Sequence, residues 1–106
     1  MSANIHELMN ELEKQLDEIY GQKLMGVYLF GSFARDEQVG GSDVDVLIVL
    51  NDFDSYAAEI ERTGEVVSDL SLEFDLSISR IFVDQAGWKS SDTPFLRNIR
   101  QEAIKA

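Results

Sequence analysis

Cysteine is absent, so neither a disulfide nor a thiolate metal site is open to this chain. Histidine is nearly absent. His6 stands alone among the polar positions of an amphipathic segment, which leaves Ser-His-Asp catalysis and zinc–histidine centres without support. No apolar run approaches the roughly 20 residues of a membrane span. The opening Met1-Ser2-Ala3-Asn4-Ile5-His6-Glu7 lacks the basic-then-apolar order of a signal peptide. Together these absences predict a cytoplasmic protein with no membrane partner. Basic residues are scarce as well: nine lysines and arginines face twenty aspartates and glutamates, a net charge of −11. Such a balance disfavours a long nucleic acid, whose readers carry a basic footprint. From Arg80 onward the balance tips, with Arg80, Lys89, Arg97, Arg100 and Lys105 against Asp84, Asp92 and Glu102. With 106 residues there is material for one core, hence a single domain spanning residues 1–106.

What is present reads as alternating helices and strands. Ile5, Leu8, Met9, Leu12, Leu16, Ile19 and Tyr20 recur at helical spacing and predict an amphipathic helix ending near Gly21. Leu24 to Phe30 and Asp45 to Leu50 are short apolar runs, expected as buried strands. Ser32 is placed to cap a short helix through about Arg35, and Asp36 to Ser42, with Gly40-Gly41, reads as a loop. Asn51, Asp52 and Asp54 supply a turn and an N-cap for a helix carrying Tyr56, Ala57, Ile60, Gly64, Val67 and Leu70. Leu72, Phe74, Leu76 and Ile78 alternate with polar residues, the period of a half-buried strand, with pairing continuing toward Val83. Asp84 to Thr93 is expected as a loop. Pro94 then opens a last helix carrying Phe95, Leu96, Ile99, Ala103 and Ile104. The expected fold class is α/β (α+β): a small mixed sheet flanked by helices.

Chemistry concentrates where the first strand ends and the second begins. Gly31 has no Cβ, so a phosphate can approach the backbone there, and Ser32 adds a hydroxyl and an amide. Asp43 and Asp45, two apart on a strand, aim at one place. Like charges held together are costly unless a cation neutralises them, and hard carboxylates suit Mg²⁺. Either half alone is common in ordinary turns and loop ends. Asp45 abuts Val46-Leu47-Ile48-Val49-Leu50, and a carboxylate beside a buried strand needs a partner. Asp75, on the polar side of the expected third strand, is the candidate for a third metal ligand or a base, with Glu73 as competitor. Arg35 is within a helical turn of Ser32, placed for a phosphate or, equally, for an ion pair with Asp36 or Glu37. Lys89, Arg97 and Arg100 are weaker phosphate candidates.

Gly31-Ser32, ten residues, then Asp43-Val44-Asp45 resembles the signature of the polymerase-beta-type nucleotidyltransferases. The fuller Phe30-Gly31-Ser32-Phe33-Ala34-Arg35 with Gly41-Ser42-Asp43-Val44-Asp45 is similar to the minimal nucleotidyltransferase (MNT) branch, and Pro94 to Glu102 is similar to its closing helix. The resemblance covers nearly the whole chain and implies the nucleotidyltransferase fold. It implies nucleotide phosphates at Gly31, Ser32, Arg35 and Ser42. It also implies a catalytic divalent metal, Mg²⁺ or Mn²⁺, on Asp43 and Asp45, with Asp75 as the third acid. Asp36 departs from the pattern, because relatives often carry glycine after the arginine. Larger relatives carry an acceptor-binding second domain, and none is expected within these 106 residues.

The expected activity is metal-dependent transfer of a nucleoside monophosphate, AMP from ATP, to a hydroxyl. Stand-alone MNT proteins are often paired with helical HEPN toxins, some of which they adenylylate. The resemblance therefore implies an adenylylating antitoxin. The alternative is a non-catalytic module that neutralises a HEPN-type toxin by contact. Small-molecule modification is weaker, since it wants an acceptor domain. One small domain leaves the site open to water. A HEPN-type partner or a homo-oligomer is thus expected, docking through apolar residues of the first or last helix such as Leu8, Leu12, Phe95 or Ile99.

Overall fold

The computed structural model describes residues 3–90 and 92–106. Helix α1, Ala3–Tyr20, buries Ile5, Leu8, Met9, Leu12 and Leu16 along one stripe, as their spacing predicts. A 3-10 turn at Gly21–Lys23 leads into β1, Leu24–Phe30. Strand β2 is Val44–Leu50. Helices α2, Tyr56–Arg62, and α3, Gly64–Phe74, precede β3, Ile78–Asp84. Helices α4, Gln85–Ser90, and α5, Pro94–Glu102, precede the two-residue β4, Ile104–Lys105.

The strands form one mixed sheet in the order β3-β2-β1-β4. β1 is antiparallel to both neighbours, whereas β2 and β3 run parallel. Helices cover both faces, so β2 is apolar without interruption from Val46 to Leu50, as a strand buried on both sides requires. One face packs Val27, Leu29, Val46, Ile48, Leu50 and Phe82 against α1 and α3. The other packs Leu47 and Val49 against Trp88 and Ile99 of α4 and α5.

Six local readings are corrected. Ser32 to Arg35 is a single hydrogen-bonded turn rather than a helix: Ala34 and Arg35 N–H both donate to the Gly31 carbonyl at 3.1 Å, and Glu37 N–H donates to the Ser32 carbonyl at 2.8 Å. The N-cap of α2 is Ser55, whose hydroxyl accepts from Ala58 N–H, and not Asp54. The single helix expected over Tyr56–Leu70 breaks at the buried Thr63. Arg80 explains why the break is tolerated: its Nη2 donates at 2.6 Å to the Ile60 carbonyl, which a continuous helix would satisfy, and its Nε donates at 2.7 Å to Thr63 Oγ1. The loop expected over Asp84–Thr93 folds into α4, which buries Trp88.

The fifth correction touches the site. The strand expected from Leu72 is the last turn of α3, and Val67, Leu70 and Phe74 face the core at helical spacing while Leu72 is 80% exposed. Asp75 ends that helix as a left-handed C-cap at φ 53° and is exposed; β3 begins three residues later. Likewise α5 stops at Glu102, and Ile104 belongs to β4 instead of the helix.

At the far end of the sheet, α2 carries an acid with donors around it. Glu59 is 7% exposed and accepts from Tyr20 Oη at 2.8 Å and Arg62 Nε at 3.0 Å. Burial first, then the bond to Glu59 and its charge, pushes the Tyr20 hydroxyl well above its usual range. These side chains line an open cleft of about 850 Å³ with Lys23, Asp52 and Phe53.

Candidate active site

The sheet's polarity assembles the site. β1 ends, and β2, β3 and β4 begin, at the same edge of the molecule, so Gly31, Asp43, the Asp75–Ser77 approach to β3 and Glu102 all arrive at one end. Phe30 pairs with Asp45 across β1 and β2, which brings the Asp45 carboxylate beside Gly31. Gly31 has φ +77°, and a Cβ there would overlap the Asp45 carboxylate. The glycine is therefore required twice, by its backbone conformation and by the acid pressed against it.

In the turn that follows, Gly31's carbonyl takes two N–H groups. Among the described residues, no acceptor takes the N–H groups of Ser32 and Phe33. Consecutive unclaimed amides at the mouth of a turn suit an anion. Ser42 Oγ accepts from Val39 N–H at 3.0 Å and thereby ties the loop just ahead of Asp43. Arg35 faces two carboxylates: Nη1 lies 2.9 Å from Glu102 Oε2 and Nε 3.5 Å from Glu37 Oε2. Of the two alternatives read from the sequence for Arg35, the ion pair with Glu37 is formed, joined by one with Glu102, and the residue borders the Gly31-Ser32 turn.

Asp43 is exposed and Asp45 half-buried. Desolvation, then the charges of Asp43 and Glu102, raise the Asp45 carboxyl above its ordinary range, and Arg35 only partly opposes them. A half-buried acid flanked by two more acids is short of positive charge, which is what a divalent cation supplies. The donor set therefore fits the hard-metal expectation. Among the described residues, no three such groups already stand as a closed metal cage.

Glu102 is the residue that sequence reasoning missed. It accepts from Gly31 N–H at 2.5 Å and from Arg35. The one available signal was the likeness of Pro94–Glu102 to a closing helix; the two-residue strand that carries Glu102 to Gly31 has no readable period. Asp75 does not join the acids that act on Asp45, and the β3 residue level with Asp45 is Ser79. Two weaker phosphate candidates are engaged elsewhere. Arg97 Nη1 donates to the Asp92 carbonyl, while Arg100 donates to the Trp88 carbonyl and lies 4.6 Å over its ring. Lys89 and His6 are exposed on their helices.

A carboxylate pair at a strand start thus stands against a Gly-Ser turn on a mixed sheet, the arrangement that the sequence resemblance implies for nucleotidyl transfer. The nucleotidyltransferase domain family model matches residues 9–106, and the chain belongs to that family and is a nucleotidyltransferase. It is 32% identical over 101 residues to a Methanocaldococcus jannaschii protein named "Putative protein adenylyltransferase", covering 95% of this chain and 97% of that one. Among solved structures, the fold is shared with a chain of a toxin–antitoxin complex with AMP-PNP. The TM-score is 0.61 at 20% identity, covering 89% of this chain and 68% of that one. It is shared equally with a chain of the tri-AMPylated Shewanella oneidensis HEPN toxin in complex with MNT antitoxin. Here the TM-score is 0.61 at 18% identity, covering 94% and 69% of the two chains.

Proposed function

We propose that this nucleotidyltransferase moves AMP from ATP to a hydroxyl on a partner protein of the helical HEPN type. The observation that carries the reading is the Asp45 carboxylate held against Gly31, beside two unclaimed amides and two further acids. Ser32 and Phe33 amides would seat the phosphates, with Arg35 and Ser42 at the rim. Asp43 and Asp45 would hold Mg²⁺ (or Mn²⁺), which supplies charge neutralisation for the triphosphate and the departing pyrophosphate. Asp75 is assigned as third acid on the family pattern. Its support is topological: Val44 N–H donates to the Ser77 carbonyl at 2.8 Å, so the segment leaving Asp75 enters at the Asp43 end. In the transfer the acceptor oxygen attacks the α-phosphorus, the bond to the bridging oxygen breaks, pyrophosphate leaves, and the hydroxyl proton passes to a carboxylate or water.

The partner assignment leans on the relatives, one a named protein adenylyltransferase and one a complex with an AMPylated HEPN toxin. The expected docking residues need revision, because Leu8, Leu12 and Ile99 lie in the core. Phe95, 56% exposed, stays available, edge-on to Phe30 beside the site. The test is incubation with α-labelled ATP, Mg²⁺ and a helical protein of the HEPN type. Label should transfer to a hydroxyl of that protein and vanish in EDTA. Neutralisation of the partner without label would favour the contact-only module instead.

A further inference from the structure

We infer that Glu102 is a positioning residue of the phosphate turn: it claims the Gly31 amide and the inner edge of Arg35, so that the next two amides are the ones presented to a phosphate. The inference rests on the proposed reading of the turn as a nucleotide site.

A single oxygen, Oε2, accepts both the Gly31 N–H and the Arg35 Nη1–H. A backbone amide has one proton, so Gly31's is spent within the protein. The Glu102 side chain is 23% exposed, against 44% for Arg35 and 65% for Glu37, so it is the enclosed member of the group. Its place is set by the sheet. Leu29 pairs with Ile104 and Tyr28 with Lys105, and Ala106 N–H donates to the Val27 carbonyl at 2.9 Å. Continuing that antiparallel register past Ile104 brings Glu102 level with Gly31. The C-cap bond from Ala103 N–H to the Ile99 carbonyl, 2.8 Å, fixes the approach from the helix side. A strand register and a helix end thus aim one carboxylate at the turn. Acceptance of two donors by one oxygen, rather than negative charge as such, is the property used. Glutamine retains such an oxygen and alanine does not.

The experiment compares wild type, Glu102→Ala and Glu102→Gln in three readouts, with thermal melting as a check on folding. Amide hydrogen exchange at Gly31 should quicken about tenfold in the alanine variant and return toward wild type in the glutamine variant. Calorimetry with ATP and Mg²⁺ should show about tenfold weaker binding for alanine and a change within about threefold for glutamine. In transfer assays KM should rise more than kcat falls. Unchanged Gly31 exchange, or alanine binding ATP as tightly as wild type or tighter, would overturn the inference; the tighter result would make Glu102 an occupant of the phosphate seat. Should wild type itself bind no ATP, the nucleotide reading fails, and Gly31 exchange still decides whether Glu102 positions the turn.

Discussion

Two acids, the half-buried Asp45 and the buried Glu59, sit at opposite ends of the same sheet in opposite surroundings. Glu59 meets the Tyr20 hydroxyl and the Arg62 guanidinium, both donors. Asp45 meets Asp43, Glu102 and a glycine with no side chain, with Arg35 shared among other acids. The first acid is complete within the protein, and its surroundings describe a structural joint between α1 and α2. The second is left with excess negative charge where amides are unclaimed. The chain can evidently supply donors to a buried acid, so their scarcity around Asp45 reads as room for something brought from outside.

The comparison breaks most sharply if the two acids prove interchangeable in function. Asp45→Asn should lower transfer on the order of a thousandfold, matching the loss of several kcal/mol of charge stabilisation. Glu59→Gln should leave transfer per folded molecule within about threefold, measured with labelled ATP. Stability should rank the other way. Glu59→Ala strands the Tyr20 hydroxyl and Arg62 and should cost about 2–3 kcal/mol in urea unfolding; a loss under about 0.5 kcal/mol would deny that Glu59 is a joint.

A smaller effect sharpens the acidic end. Asp75→Asn should cut transfer about tenfold, roughly 1.4 kcal/mol, with Glu73→Gln within twofold. The reverse ranking would move the third acid to Glu73. Smallest is the stability gain of Asp45→Asn without metal, a few degrees in thermal melting. Its sign follows from the raised Asp45 carboxyl. In acid, wild type carries a neutral group there and the two proteins should melt together. As pH rises through the Asp45 titration, wild type acquires a charge held among like charges and falls behind. Mg²⁺ should close the gap by stabilising wild type alone, and a variant less stable than wild type at neutral pH would contradict the electrostatic account.

Much of the molecule was legible before any coordinates. The stripe from Ile5 to Leu16 and the runs ending at Phe30 and Leu50 each have one period, and they fold as read. The meeting of Gly31 with Asp45 follows from strand pairing and was foreseen from the motif. The stretch from Leu70 to Ile78 was not legible, because Leu70 and Phe74 fit a helix while Leu72, Leu76 and Ile78 fit a strand. Packing of α3 on α1 decides between them, and no local pattern contains that contact. Asp36 is the opposite case. It looked like a departure where relatives often have glycine, yet its φ is +58°, a left-handed conformation that aspartate tolerates better than most side chains. At this position the aspartate meets the demand of the backbone shape.

The bond between Gly31 and Glu102 spans 71 residues of chain. Closing so wide a loop comes late in folding, after local turns and neighbouring strands have formed. The Gly31-Ser32 turn can therefore be written early in the polypeptide and still be unfinished until the last strand adds to the sheet. A partly folded chain would hold the Gly-Ser motif without its completed geometry, so nucleotide binding should report global folding of this protein rather than the formation of its motif.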